Sequence, residues 1–283
     1  MGTILVFLSA LLFAGVATGQ VSQSRSPETV VVPSGDLHLK AFFWKPMGPG
    51  PFPAVLFNHG SGSDATHTAG MLITDAAATL APLFLKHGYA FLYLFRRGQG
   101  LSASQAPFMR DLLQREEVTN GQEGRQHLQF ILATTDQLDD VLAALSFLKT
   151  VPGIDAKRIA MAGHSFGGQL TLLAAGRDAT LRAAVTFAAA ADSWERSPEL
   201  REALLASVPR TNATIMLTQA ENDYSTVPGR ALADESARLH KPCMLKIYPA
   251  VGQTSEDGHN MLYEAMPYWE DDVFKFLDEH VRR

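Results

Sequence analysis

The sequence predicts an α/β fold with a mainly parallel sheet and helices on both faces, and three observations carry that prediction. Short apolar segments recur along the chain: AVLFN at 54–58, YAFLYLF at 89–95, RIAMAG at 158–163 and AAVTFA at 183–188. Longer segments between them place apolar residues at helical spacing, as at 138, 141, 142, 145 and 148. The 89–95 run lacks any charged residue, which is the pattern of a strand covered on both faces. Strands alternating with helices close a parallel sheet, here of about eight strands.

Along the chain, residues 29–32 (TVVV) and 37–44 (LHLKAFFW) read as an antiparallel hairpin turning at Pro33-Ser34-Gly35-Asp36. A Pro/Gly-rich loop over 46–53 leads into the strand 54–58. The spacing predicts a helix over 71–87, closed by Gly88 as its C-cap. Strand 89–95 follows, then a helix over 135–148, strand 158–163, a helix over 166–175, and strands 183–188 and 213–218. Pro228 opens a helix over 228–240, and strand 244–249 and a helix over 263–280 complete the series. Residues 102–125 break the alternation. They are polar, charged and long for a connection, and read as an insertion overhanging the site, against the competing reading of a solvated surface excursion.

Composition narrows the class. The 283 residues are 46% hydrophobic and 19% charged with net charge −5, which fits a globular chain with a sizeable core. Without a basic stripe and interleaved aromatics, nucleic acid is not expected as a partner. Residues 4–17 (ILVFLSALLFAGVA) form an uncharged apolar run, followed by Ala17-Thr18-Gly19 as a small-residue cleavage site. This reads as a secretory signal peptide over 1–19, leaving 20–283 as one domain, exported and without membrane attachment after cleavage. The run falls short of the roughly 20 apolar residues of a membrane span. An uncleaved anchor is the rival reading, since no Lys or Arg precedes the run. The single cysteine, Cys243, excludes an internal disulfide and reads as a small buried hydrophobe. No metal-binding spacing, P-loop or G-x-G-x-x-G occurs.

Gly163-His164-Ser165-Phe166-Gly167-Gly168 carries the chemistry. It matches G-x-S-x-G between a strand and a helix, a turn that exposes the serine hydroxyl and sets helix N–H groups beside it. Serine needs a base and an orienting acid, which in this architecture follow it in the order acid, then His. Of the nine histidines only His240, His259 and His280 lie downstream. His240 and His280 close helices, whereas His259 sits in a loop after the last strand and is the chosen base. The acid candidates are Asp192, Glu221, Asp223, Glu256 and Asp257. Asp223, in a loop at the carboxyl end of a strand, is preferred, with Glu221 its rival in the same loop. For the oxyanion, the Phe166 N–H is paired with Ser61, or alternatively Gly60, in NHGSGS at 58–63. Arg96 and Arg97 are candidates for binding a substrate carboxylate, with a structural role as the alternative.

Four segments, NHGSG at 58–62, FRRGQGLS at 95–102, GHSFGG at 163–168 and YPAVGQTSEDGHN at 248–260, together resemble the α/β-hydrolase superfamily. The resemblance is strongest to its dienelactone-hydrolase-like and prolyl-oligopeptidase-like branches and runs from about residue 51 to the end. It implies the α/β-hydrolase fold, with Ser165 as nucleophile, His259 as base, Asp223 as acid and no cofactor. Dienelactone hydrolases proper use a cysteine nucleophile. The serine here therefore points to a carboxylesterase-like reaction on a small-molecule ester. A peptidase or acyltransferase with the same triad, and a non-catalytic binding module, are the alternatives.

Overall fold

A computed structural model describes residues 26–282. The expected signal peptide over 1–19 lies outside these residues. Strands β1 (Glu28–Ser34) and β2 (Leu37–Trp44) form the expected antiparallel hairpin, and Gly35 takes the turn at φ 56°. Strand β3 (Phe52–Asn58) follows. A two-residue ribbon, β4 (His67–Thr68) and β5 (Met71–Leu72), then leads into helix α1 (Ile73–Lys86) and strand β6 (Ala90–Phe95). The second half contains β7 (Ile154–His164), β8 (Ala183–Phe187), β9 (Thr214–Ala220) and β10 (Cys243–Tyr248). The eight long strands form one sheet in the order β1-β2-β6-β3-β7-β8-β9-β10. Within this sheet β1–β2 and β2–β6 pair antiparallel, and the pairings from β6 to β10 are parallel.

Period-two alternation sorts each strand onto two core layers. In β3, Ala54 and Leu56 pack toward helices α3 (Asp136–Thr150) and α4 (Phe166–Ala175), whereas Val55 and Phe57 pack toward α1 and α9 (Met266–Val281). Phe91 of β6 stacks on Phe84 of α1 with centroids 4.4 Å apart, and the fully buried Trp269 of α9 meets Phe187 edge-on at 5.0 Å. Helix α1 closes as a glycine permits: Gly88, at φ 70°, donates to Leu85 O while Tyr89 donates back to Phe84 O.

Three segments depart from the sequence expectation. The 102–125 stretch, read as an insertion, is largely helical, which its composition did not announce. A 3-10 turn over Gly100–Gln105 leads into α2 (Met109–Thr134), which breaks direction at Gly121, with φ 71° and ψ −168°. Between β8 and β9 lies a further helix, α5 (Pro198–Ser207). His259 closes a short helix, α7 (Ser255–His259), rather than sitting in an open loop. Helices α6 (Val227–Arg238) and α8 (Met261–Glu264) complete the chain. Among the described residues no helix is long and apolar enough to cross a membrane.

Candidate active site

Strand β7 ends at His164, and the chain turns into α4 through Ser165, which holds φ 53°, a strained value for a residue with a side chain. The surrounding glycines make that turn feasible. A Cβ on Gly163 would lie 2.3 Å from Gly167 O, and one on Gly167 would lie 2.0 Å from Asn58 O. Helix α4 can approach the end of β3 only without those side chains. The Ser165 N–H donates to Phe187 O at 2.8 Å. Phe166 opens the helix, so its N–H has no carbonyl within the helix to receive it.

Ser165 Oγ lies 2.9 Å from His259 Nε2, and His259 Nδ1 lies 2.8 Å from Asp223 Oδ1. Asp223 sits in the turn after β9, with its side chain fully buried. Its Oδ1 also accepts from the Tyr224 N–H at 2.7 Å, and its Oδ2 accepts from Gln219 Nε2 at 3.1 Å. The other acid candidates are engaged elsewhere. Glu221 is exposed; Glu256 accepts from Tyr224 Oη at 2.6 Å; Asp192 pairs with Arg196. Asp257 caps α7, accepting from the N–H groups of Gln253 and Thr254.

Asn222 was not singled out from the sequence, yet it locks the acid loop to the base loop. Its amide donates to Val251 O at 2.7 Å and Thr254 O at 2.8 Å, and its Oδ1 accepts from the Val251 N–H at 2.9 Å. Gly258 allows the approach, since a Cβ there would lie 2.5 Å from Asn222 Oδ1. Tyr224 lies over the imidazole, with centroids 4.6 Å apart. Partial burial and then Glu256 push its phenol up to about 12. On the other side, His164 donates from Nε2 to the His259 carbonyl at 2.9 Å. Burial, reinforced by the charge of His259, lowers its pKa to about 3, so it stays neutral.

Gly60 and Ser61 line the cavity at Ser165, and a Cβ on Gly60 would lie 3.5 Å from the Ser165 Cβ. The substrate role given to Arg96 and Arg97 is corrected by the structure, because neither reaches the cavity. Arg96 is fully buried and donates to His59 O (2.8 Å), Gly60 O (3.0 Å) and Gln137 Oε1 (2.9 Å). It therefore holds the loop after β3 in place, and burial lowers its pKa to about 10. Arg97 spends its donors on the buried Asp140 and on Asp136. Spacing alone could not separate arginines that face a ligand from arginines that satisfy loop carbonyls. His59 is also buried and donates from Nδ1 to Gly60 O at 2.8 Å. Burial and the Arg96 charge hold its pKa well below the usual histidine value.

The cavity over Ser165 measures about 470 Å³. Its wall is polar and charged, with Arg110 and Arg125 from the two halves of α2, Asp192 and Arg196 from the segment after β8, and Glu256 from α7. Arg125 pairs with Glu117 at 3.3 Å, and Arg110 donates to Ser63 O at 3.2 Å. Among the described residues no group of three or more His, Cys, Asp or Glu side chains is arranged to hold a metal ion.

Comparison with protein-family models matches residues 104–264 to the Dienelactone hydrolase family. No curated protein sequence matches the chain. Among solved structures, an acylaminoacyl peptidase in complex with Z-Gly-Gly-Phe-chloromethyl ketone is similar with TM-score 0.67 and 18% identity; the match covers 92% of this chain and 42% of that one. This chain thus spans less than half of that peptidase's length. A dienelactone hydrolase from Anabaena variabilis is matched over its full length and 91% of this chain, with TM-score 0.60 and 19% identity. Est1E from Butyrivibrio proteoclasticus, with ferulic acid bound, is matched over its full length and 90% of this chain, also with TM-score 0.60 and 19% identity. At these identities the likeness is one of fold, the α/β-hydrolase fold.

Proposed function

Because the chain belongs to the dienelactone hydrolase family, we propose that it is a serine hydrolase cleaving carboxylic esters through an acyl-enzyme. The observation that carries this reading is the continuous hydrogen-bonded line from Asp223 through His259 to Ser165 Oγ, at 2.8 and 2.9 Å.

In the proposed reaction, His259 Nε2 takes the Ser165 proton as Oγ attacks the ester carbonyl. Asp223 stays ionised and holds the imidazole in the tautomer that keeps Nε2 free to accept. The negative charge that develops on the carbonyl oxygen meets the Phe166 N–H and an N–H from Ser61 or Gly60. His259 then protonates the leaving alcohol and activates water against the acyl-enzyme. Serine rather than cysteine at 165 supports ordinary esters over dienelactones as substrates.

Ser165→Ala is expected to lower kcat by several orders of magnitude with the circular dichroism spectrum unchanged. Near wild-type turnover in that variant rejects the assignment. A panel of aryl esters and aminoacyl amides separates esterase from peptidase. The apolar 4–17 run and the ATG at 17–19 support export with cleavage after residue 19. The intact mass of protein recovered from outside the producing cell checks this: a mass that includes residues 1–19 removes the cleavage claim.

A further inference from the structure

The base His259 sits at the end of a five-residue helix, too short to hold its own geometry. Its N-terminal side is fixed twice. Thr254 and Asp257 form a capping box, and Asn222 ties residues 251 and 254 to the acid loop. On its C-terminal side, His164 Nε2 donates to the His259 carbonyl at 2.9 Å. A carbonyl can only accept, so this bond places the single proton of the neutral His164 ring on Nε2. Nδ1 is then a bare lone pair. It is buried without a hydrogen-bond partner and faces Gly60, where a Cβ would lie 3.4 Å away. The ring packs edge-on against Tyr263 at 5.6 Å.

A residue serving only to fill this space would be better as phenylalanine, which has the same shape and strands no acceptor. The imidazole is worth keeping only for what Nε2–H does. We infer that His164 is a positioning residue: its Nε2–H fixes the backbone of His259 so that one imidazole meets Asp223 and Ser165 Oγ together. This rests on the serine hydrolase reading above. His164 also lines the cavity beside Ser165, but the role inferred for it runs through the His259 backbone.

The test is the kinetics of inactivation by a fluorophosphonate probe, which separates the saturating rate kinact from the binding constant KI and requires no knowledge of the natural substrate. His164→Phe keeps the ring and removes the donor, and kinact is expected to fall about tenfold to a hundredfold. KI should stay within about threefold, because the pocket wall changes little. His164→Gln carries its amide nitrogen the same number of bonds from Cα as Nε2, and is expected to restore kinact to within about fivefold of wild type.

Wild-type kinact in folded His164→Phe overturns the inference. So does an equal loss in the Phe and Gln variants, which would show that supplying the donor does not restore the rate. Should His164→Phe not fold, His164→Asn, whose amide falls one bond short of the carbonyl, takes its place with the same expectations. Ser165→Ala is run in parallel. If it labels as fast as wild type, the serine hydrolase reading falls and this inference falls with it, an outcome distinct from the two above.

Discussion

Position 167 shows how little freedom the turn at the serine has. A methyl group there would sit 2.0 Å from Asn58 O, the last residue of β3. Neither partner is a flexible side chain, so relief requires moving α4 away from the sheet. Gly167→Ala is therefore expected to destabilise the fold by about 3 kcal/mol or more, and to displace Ser165 as well. Urea denaturation measures the first effect, and wild-type stability would show that the helix can shift freely. The glycine pattern that identified Ser165 in the sequence is this steric requirement, which is why that residue was legible. Asp223 and His259 were legible from chain order and from their places after strands. Asn222 and His164 were not, because their partners lie 29 and 95 residues away and nothing local marks them. Arg96 was misread for the same reason. Its carbonyl partners at 59 and 60 belong to the loop it supports.

Among the elements, the strands announced themselves because burial on both faces makes them uniformly apolar, as in β6. Helix α2 did not. It buries only Met109, Leu113, Leu132 and Ala133 over 26 residues, so its middle carries no apolar stripe to betray a helical period. Its break at Gly121 adopts a backbone conformation essentially reserved for glycine, and a Cβ there would meet nothing within 4 Å. The cost of Gly121→Ala is accordingly backbone strain alone, about 1–3 kcal/mol. The substitution should also alter the relative placement of Arg110 and Arg125, which lie on opposite sides of the break. A denaturation midpoint equal to wild type would mean that the two halves join without strain. The short helix carrying His259 escaped prediction because five residues hold no periodic signal; its Thr254–Asp257 capping box was the one local mark.

Over the whole molecule, the buried histidines set how stability responds to acid. His164 titrates near 3 in the folded protein against an ordinary value of 6.5. Between those values the unfolded chain binds the extra proton, so stability is complete above pH 6.5 and falls as the pH drops below it. At pH 5 the loss from His164 alone is about 2 kcal/mol. His59, lowered by burial and by Arg96, acts in the same direction. Unfolding free energies measured at pH 7 and pH 5 check this, and equal values would contradict neutral burial. The same global view bears on substrate size. The cavity wall presents Arg110, Arg125, Asp192, Arg196 and Glu256. If the chain is the esterase proposed, turnover of p-nitrophenyl esters is therefore expected to fall at least about tenfold from acetyl or butyryl to decanoyl chains, since a long acyl chain meets mostly charged and polar groups. A rise with chain length would refute it.

Helix α2 supplies two arginines to the wall of the site but none of Ser165, Asp223 or His259. Part of the cavity wall is thus written in a stretch of chain separate from the one that carries Ser165, Asp223 and His259. Under the proposed hydrolase reading, grafting this segment from a relative is expected to alter which substrates are preferred while leaving the Ser165–His259–Asp223 line in place.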